Sequence, residues 1–254
     1  MTDTVLLDRC DAITVLTVNR PAARNAIDLA TATAIEAAID EFEGDDTARV
    51  LVFTGADGTF SAGMDLIGMT RGEFPVTEHR GPLGITAKPP AKPMISAVEG
   101  FALAGGFELA LSGDLIVAAR DAKFGIPEVK RGLVAAAGGV MRLTQRLPRS
   151  IAAELALTGG RISAERLHQL GLVNRVTDPG EALEVALELA GEIAAAAPLA
   201  VAASKRIIDE SPDWSAAEGF AKQGELALPA IASKDAAEGA LAFAEKRDPV
   251  WQGR

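Results

Sequence analysis

The chain has 254 residues, 48% of them hydrophobic, with 25 basic against 35 acidic side chains, a formal charge of −10, one Cys and no Tyr. That length supports a full core without disulfides or metal, Cys10 alone can form no internal disulfide, and the acidic balance argues against a nucleic-acid footprint. The start MTDTVLLDRCD lacks the cationic and apolar stretches of a secretory signal, and the uncharged run 193–204 is short and holds Pro198, so a cytoplasmic protein with no membrane span is expected. Along the chain, residues 12–18 (AITVLTV), 50–54 (VLVFT), 93–98 (PMISAV) and 115–118 (LIVA) read as strands. Between the first two, Ile35, Ile39 and Phe42 recur at helical spacing and predict a helix with one buried stripe. Strands alternating with helices predict an α/β fold with mostly parallel pairing. After about Pro179 the strand signals cease. Ala, Leu and Glu dominate residues 181–196 and 215–245, with Pro198, Pro212 and Pro229 as expected breaks. This helical part suits either an oligomer surface or an ordinary cap on the same core.

Three segments concentrate unusual residues. TFSAGMDL (59–66) puts small residues just past a strand; EGFALAGGFELAL (99–111) puts Gly105-Gly106 between a strand and a helix; KFGIPE (123–128) ends in Pro127-Glu128 and precedes AAAGG at 135–139. Glycines at a helix start leave backbone N–H groups free for a ligand, and the helix dipole favours negative charge there. Glu108 lies one turn further on. It can act on whatever those amides hold, or simply offset the dipole while the glycines serve tight packing. Pro127 favours a loop at Glu128, so a helix and a loop can each present a carboxylate to divide acid and base roles. A solvated surface acid is the other reading of Glu128. His79 and His168 have no partner in motif spacing and read as surface or structural residues. Met69 and Met94 read as core filler.

Taken in order, these segments resemble the enoyl-CoA hydratase/isomerase (crotonase) superfamily over nearly the whole chain. Asn19-Arg20-Pro21 with Arg24-Asn25-Ala26 resembles its N-terminal signature, and FSAGMDL (60–66) its first oxyanion segment. GFALAGGFELALSGDLIVA (100–118) resembles the second, FGIPE (124–128) the second catalytic loop, and GGVMRL (138–143), TGGRISAERLHQLGLVNRV (158–176) and LAFAEKRDPVWQGR (241–254) carry the likeness to the end. The resemblance implies a crotonase-like spiral of ββα units over residues 1–195, holding the acyl-CoA site. Residues 196–254 would form a C-terminal helical trimerisation region, giving a homotrimer or dimer of trimers. It implies no cofactor or metal, coenzyme A being part of the substrate.

By position, the amides of Met64 and Gly105 would hold a thioester oxygen, because an enolate needs preorganised donors in a dry site. Glu108 and Glu128 would be the catalytic acids; both positions are glutamate in hydratases, whereas isomerases, dehalogenases and hydrolases of the family commonly replace one. The coenzyme A contacts implied are Arg24, Ala26, Ala62, Gly63, Asp65, Leu66, Phe243 and Lys246, with Arg247 beside the last. The chain departs from the family pattern at Ala135-Ala136-Ala137, where hydratases often have Pro-Gly-Ala, and at Ala104, where Gly is common. Neither change removes a catalytic group.

The leading expectation is an enoyl-CoA hydratase. The tail and GGVMRL also resemble the carnitinyl-CoA dehydratase branch, for which Phe74, Glu73 or Glu78 would face a trimethylammonium group. A noncatalytic or RNA-binding relative is a third reading. The acidic charge and the retention of both glutamates stand against it.

Overall fold

The computed structural model describes residues 3–254. In chain order it forms β1 (Val5–Cys10), β2 (Ile13–Val18), α1 (Leu29–Gly44), β3 (Val50–Gly55), α2 (Leu66–Thr70), β4 (Val76–Thr77), β5 (Gly81–Pro82), β6 (Met94–Val98), β7 (Phe101–Leu103), α3 (Gly105–Ala110) and β8 (Leu115–Ala119). It continues with β9 (Lys123–Gly125), α4 (Gly139–Arg146), α5 (Arg149–Thr158), β10 (Ile162–Ser163), α6 (Ala164–Gln169) and β11 (Arg175–Thr177). Helices α7 (Ala182–Ala194), α8 (Pro198–Glu210), α9 (Gly219–Ile231) and α10 (Lys234–Glu245) complete it.

Six strands form the main sheet in the order β1-β2-β3-β6-β8-β11. Only β1 runs antiparallel to its neighbour; the other pairings are parallel, as the alternation of strands and helices predicts. A second layer is narrower: β7 pairs with β9 in parallel, β9 with β10 antiparallel, and Ser61 bridges Ala102. Each turn of chain therefore lays one strand in the main sheet and a short one in the second layer before a helix follows, as in β6-β7-α3 and β8-β9-α4. This is the α/β spiral of ββα units.

Both faces of the main sheet are covered, which is why β3 and β6 read as continuous apolar runs rather than alternating ones. Leu51, Phe53, Met94 and Val98 face a core that includes Ile35, Ile39 and Phe42 of α1 and Phe107 of α3. Asp28 starts α1 by accepting the Thr31 N–H at 2.8 Å. On the other face Val50, Val52, Ile95, Ala97 and Val117 meet Ala182, Ala186 and Ala190 of α7. Alanine at every fourth position leaves α7 smooth, so it lies close on the strands. Burying each Val or Ile side chain there contributes about 1.5–3 kcal/mol.

The later helices are built differently. Neither α8 nor α9 holds a buried residue, and α10 buries Asp235 and Ala242. Pro198 opens α8 and Pro212 lies in the 3-10 turn Ser211–Asp213, so both act as breaks. Pro229 does not: α9 runs through it and ends at Ile231. The break comes instead at Ser233, whose hydroxyl accepts the Ala236 N–H to start α10. No single helix among the described residues is long and apolar enough to cross a membrane.

Candidate active site

Four segments converge at one end of the second layer. The first follows β3. Ser61 is fully buried; its hydroxyl donates to the Asn25 carbonyl at 2.8 Å and accepts the Gly63 N–H at 3.0 Å. Asp65 N–H donates to the Ile27 carbonyl. With the amides on both sides engaged, that of Met64 donates no backbone hydrogen bond among the described residues. The second segment is the start of α3. Ala104 N–H donates to the Gly125 carbonyl, and the Ala104 carbonyl accepts from Phe107 and Glu108, leaving the Gly105 N–H equally free.

The two free amides are neighbours. A Cβ on Gly105 would lie 3.2 Å from the Met64 nitrogen, and one on Gly63, at φ +92°, would lie 2.6 Å from the Gly105 nitrogen. A Cβ on Gly106 would meet the Ser61 carbonyl oxygen at 2.1 Å, so only glycine lets α3 seat against this segment. The glycines thus serve both of the purposes the sequence allows: packing and open amides. Both free N–H groups border one cavity of about 840 Å³.

Glu108 also borders it. The residue is 4% exposed, and its Oε1 accepts the Gly139 N–H at 2.8 Å. Gly138, the residue that caps α4, has no side chain to offer, and the glutamate supplies the acceptor instead. Burial pushes the Glu108 carboxyl up to about 7, against the opposing pull of the Gly139 N–H, with the Glu128 charge adding to the rise. Glu128 sits on the 3-10 turn Pro127–Arg131, so the proline loop forms as expected. Its Oε2 is buried with no hydrogen-bond partner, and burial raises its pKa as well. Two carboxyls that both resist ionisation, next to two unspent amides, can hold a proton and an oxyanion side by side.

The cavity walls carry Ala136, Ala137, Leu83, Phe74 and Val76, with Arg24, Lys130, Arg131 and Arg161 the cations among its lining residues. Of the residues named from sequence, Glu108, Glu128, Met64, Gly105, Arg24, Ala62 and Leu66 line it. Ala26, Gly63, Asp65, Phe243 and Lys246 do not. Ala26 offers its carbonyl to Arg20, and Asp65 caps α2 through the Ile67 N–H while pairing with Arg20 at 3.1 Å. Phe243 is 87% exposed on α10, and Lys246 ends that helix at φ +56°. Arg247 is committed to Glu238 and Glu245 and is no free cation.

Other placements correct or extend the sequence reading. Met69 lines the cavity rather than filling the core, whereas Met94 is fully buried. His168 Nδ1 is 2.8 Å from the Val173 carbonyl oxygen, a structural contact. Of Phe74, Glu73 and Glu78, only Phe74 reaches the cavity. Lys130, Arg131 and Arg161 carried no sequence signal of their own beyond lying near FGIPE and TGGRIS. Asn25 was visible only as part of a motif. Its buried amide donates to the carbonyls of Ala56 and Thr59 and so locks the approach to Ser61.

Residues 8–254 match the family model described as enoyl-CoA hydratase/isomerase. The chain is similar to a carnitinyl-CoA dehydratase of Salmonella arizonae, 44% identical over 262 residues and 100% of both chains. It is similar in structure to an enoyl-CoA hydratase from Mycobacterium tuberculosis H37Rv, with 55% identity, a TM-score of 0.97 and 99% of each chain covered. A carnitinyl-CoA hydratase from Mycobacterium avium aligns at 42% identity and a TM-score of 0.80 over 100% of both chains.

Proposed function

The chain belongs to the enoyl-CoA hydratase/isomerase family, and we propose that it adds water across the C2=C3 bond of a trans-2-enoyl-CoA. The observation that carries this reading is the juxtaposition of the buried Glu108 and the half-buried Glu128 with the two free amides of Met64 and Gly105. The thioester oxygen sits between the amides. As a water oxygen attacks C3, one carboxylate takes the water's proton. The charge that develops on the thioester oxygen is held by the two N–H groups, which need no reorganisation. The other glutamate, protonated, delivers its proton to C2 as the enolate collapses. Burial raises the proton affinity of both acids and the Glu128 charge adds to the rise at Glu108, so their titration belongs to the pair. The reaction runs on these groups, with coenzyme A entering as part of the substrate. Arg24, Lys130, Arg131 and Arg161 supply positive charge for its phosphates on an otherwise acidic protein. Loss of absorbance at the conjugated thioester band with crotonyl-CoA tests the reading; no loss at millimolar substrate overturns it.

A carnitinyl-CoA dehydratase is the second reading, favoured by the full-length identity to proteins of that name. The walls favour an uncharged acyl chain instead. Phe74 is the one aromatic residue lining the cavity, and the carboxylates there are Glu108 and Glu128 themselves. Crotonobetainyl-CoA in the same assay separates the two readings.

The assembly proposed is a trimer or a pair of trimers formed through α8–α10, which expose Ile208, Phe220, Leu228, Ile231 and Leu241. Lys246 would meet a coenzyme A phosphate from across that interface. A monomeric mass by light scattering at micromolar concentration would refute the assembly.

A further inference from the structure

The hydration chemistry leaves one cation beside the cavity unused. Arg142 closes the first turn of α4, where its N–H donates to the Gly138 carbonyl. Its side chain is half-buried; it donates from Nη1 to the Ala137 carbonyl at 3.3 Å and from Nη2 to the Thr86 carbonyl at 2.5 Å. It joins none of the ion pairs formed among the described residues.

The guanidinium rests directly on main chain. A Cβ on Gly138, which holds φ +99°, would lie 2.3 Å from Nη1. The next residue, Gly139, gives its N–H to Glu108, and a Cβ there would meet Glu108 Cγ at 2.9 Å. Arg142, Gly138, Gly139 and Glu108 are therefore stacked without a gap. Thr86 belongs to the segment carrying Leu83, whose Cδ1 lies 3.0 Å from where a Gly105 side chain would begin. One guanidinium thus ties the turn that feeds Glu108 to the wall that faces the oxyanion amides.

We propose that Arg142 is a positioning residue for Glu108, holding the Ala137–Gly139 turn so that the Gly139 N–H stays on the carboxylate. The inference rests on the hydratase reading for its catalytic meaning. The guanidinium also acts through its charge. Glu108 is faced by Glu128 from the 3-10 turn and by Arg142 from α4, and Arg142 in turn by Glu108 and Arg146. Arg142 is the attractive member of that set. Its charge favours ionised Glu108 against burial and against Glu128.

The test compares R142Q and R142K with wild type and E108Q. The Glu108 carboxyl is followed by carbon-13 NMR, assigned through its loss in E108Q, alongside the pH dependence of kcat. In R142Q the Glu108 titration should move up, because an attractive charge and the hold on the Gly139 N–H have both gone. The limb of the kcat profile should follow it, with KM nearly unchanged. R142K keeps the charge but cannot fork to two carbonyls. It should hold the titration near its wild-type position and still lose about tenfold in kcat through a misplaced Glu108. An unmoved Glu108 titration in folded R142Q overturns the proposal. Should R142Q not fold, R142K decides, and wild-type kcat in R142K overturns it. The NMR titration needs no turnover, so a wild type that hydrates no enoyl-CoA would sink the proposed function and leave the role of Arg142 decided separately.

Discussion

The two carboxyls reach one cavity from walls of different construction. Glu108 comes from α3, inside the core, with the Gly139 amide aimed at it and Arg142 behind that amide. Glu128 comes from a 3-10 turn whose residues, Glu128 included, are half-buried or exposed, and one of its oxygens is buried without a partner. One wall fixes its acid by hydrogen bonding; the other merely removes it from water. Burial raises the proton affinity of both carboxyls, the Gly139 N–H pulling the other way at Glu108, and only that hydrogen bond also sets a direction. The backbone shows the same contrast. The α3 wall begins at Ala104, held at φ +52° and ψ −128°, whereas the 3-10 turn ends at Gly132, where φ +69° costs a glycine little.

The comparison breaks most visibly at the acids themselves. E108Q and E128Q should each cut kcat by about two to four decades in a steady-state hydration assay, the range for lost acid–base groups. The double variant should fall far short of the product of the single losses, because the pair acts on one water. Full activity in E128Q with none in E108Q would leave a single-base isomerase as the better account.

Stability should separate the two walls in the opposite sense. A carboxyl raised from 4.5 to about 7 by folding contributes stability that is fully present below pH 4.5 and lost as pH rises through 7. E108Q removes that dependence and keeps a carbonyl for the Gly139 N–H. Its advantage over wild type in urea unfolding should be near zero at pH 4 and reach on the order of 3 kcal/mol at pH 8. A pH-independent difference would show that burial is not what holds the Glu108 proton. The smallest effect belongs to the backbone. A104G relieves a positive φ in a residue with a side chain, and should stabilise by about 0.5–1 kcal/mol after the entropy of glycine is subtracted. A Tm unchanged or lowered would mean that the Ala104 side chain packs well enough to offset its strain.

How much of this was legible depended on segment length and on which atoms do the work. β2, β3, β6 and β8 were readable within a residue or so, because five or six apolar and β-branched residues make a recognisable run. β1 was not, since Asp8 and Arg9 interrupt an exposed edge strand that only pairing with β2 defines. The second layer was invisible as strands: β7 and β9 have three residues and β10 two, too short for any periodicity. Pro229 misled because a proline near the end of α9 forfeits only one late hydrogen bond. At the site, Gly105-Gly106, Glu108 and the Pro127 loop suggested a ligand on chemical grounds, and the family likeness made that specific. The cations at Lys130, Arg131 and Arg161 stayed hidden, because any exposed basic residue reads the same until a cavity is placed beside it, and the brace at Arg142 because its partners are main-chain carbonyls that no side-chain pattern marks.

The free amides of Met64 and Gly105 have a consequence outside catalysis. Each is a main-chain donor that the fold leaves unused, forgoing roughly 0.5–1.5 kcal/mol of hydrogen bonding. Proline apart, no substitution at Met64 or Gly105 deletes them, so the donors persist through most changes of side chain at those two positions. Conversely, any change that gave these N–H groups a partner from within the protein would make the chain more thermostable and close the place where an oxygen must enter. Selection for heat resistance and selection for turnover therefore pull on the same two atoms in opposite directions.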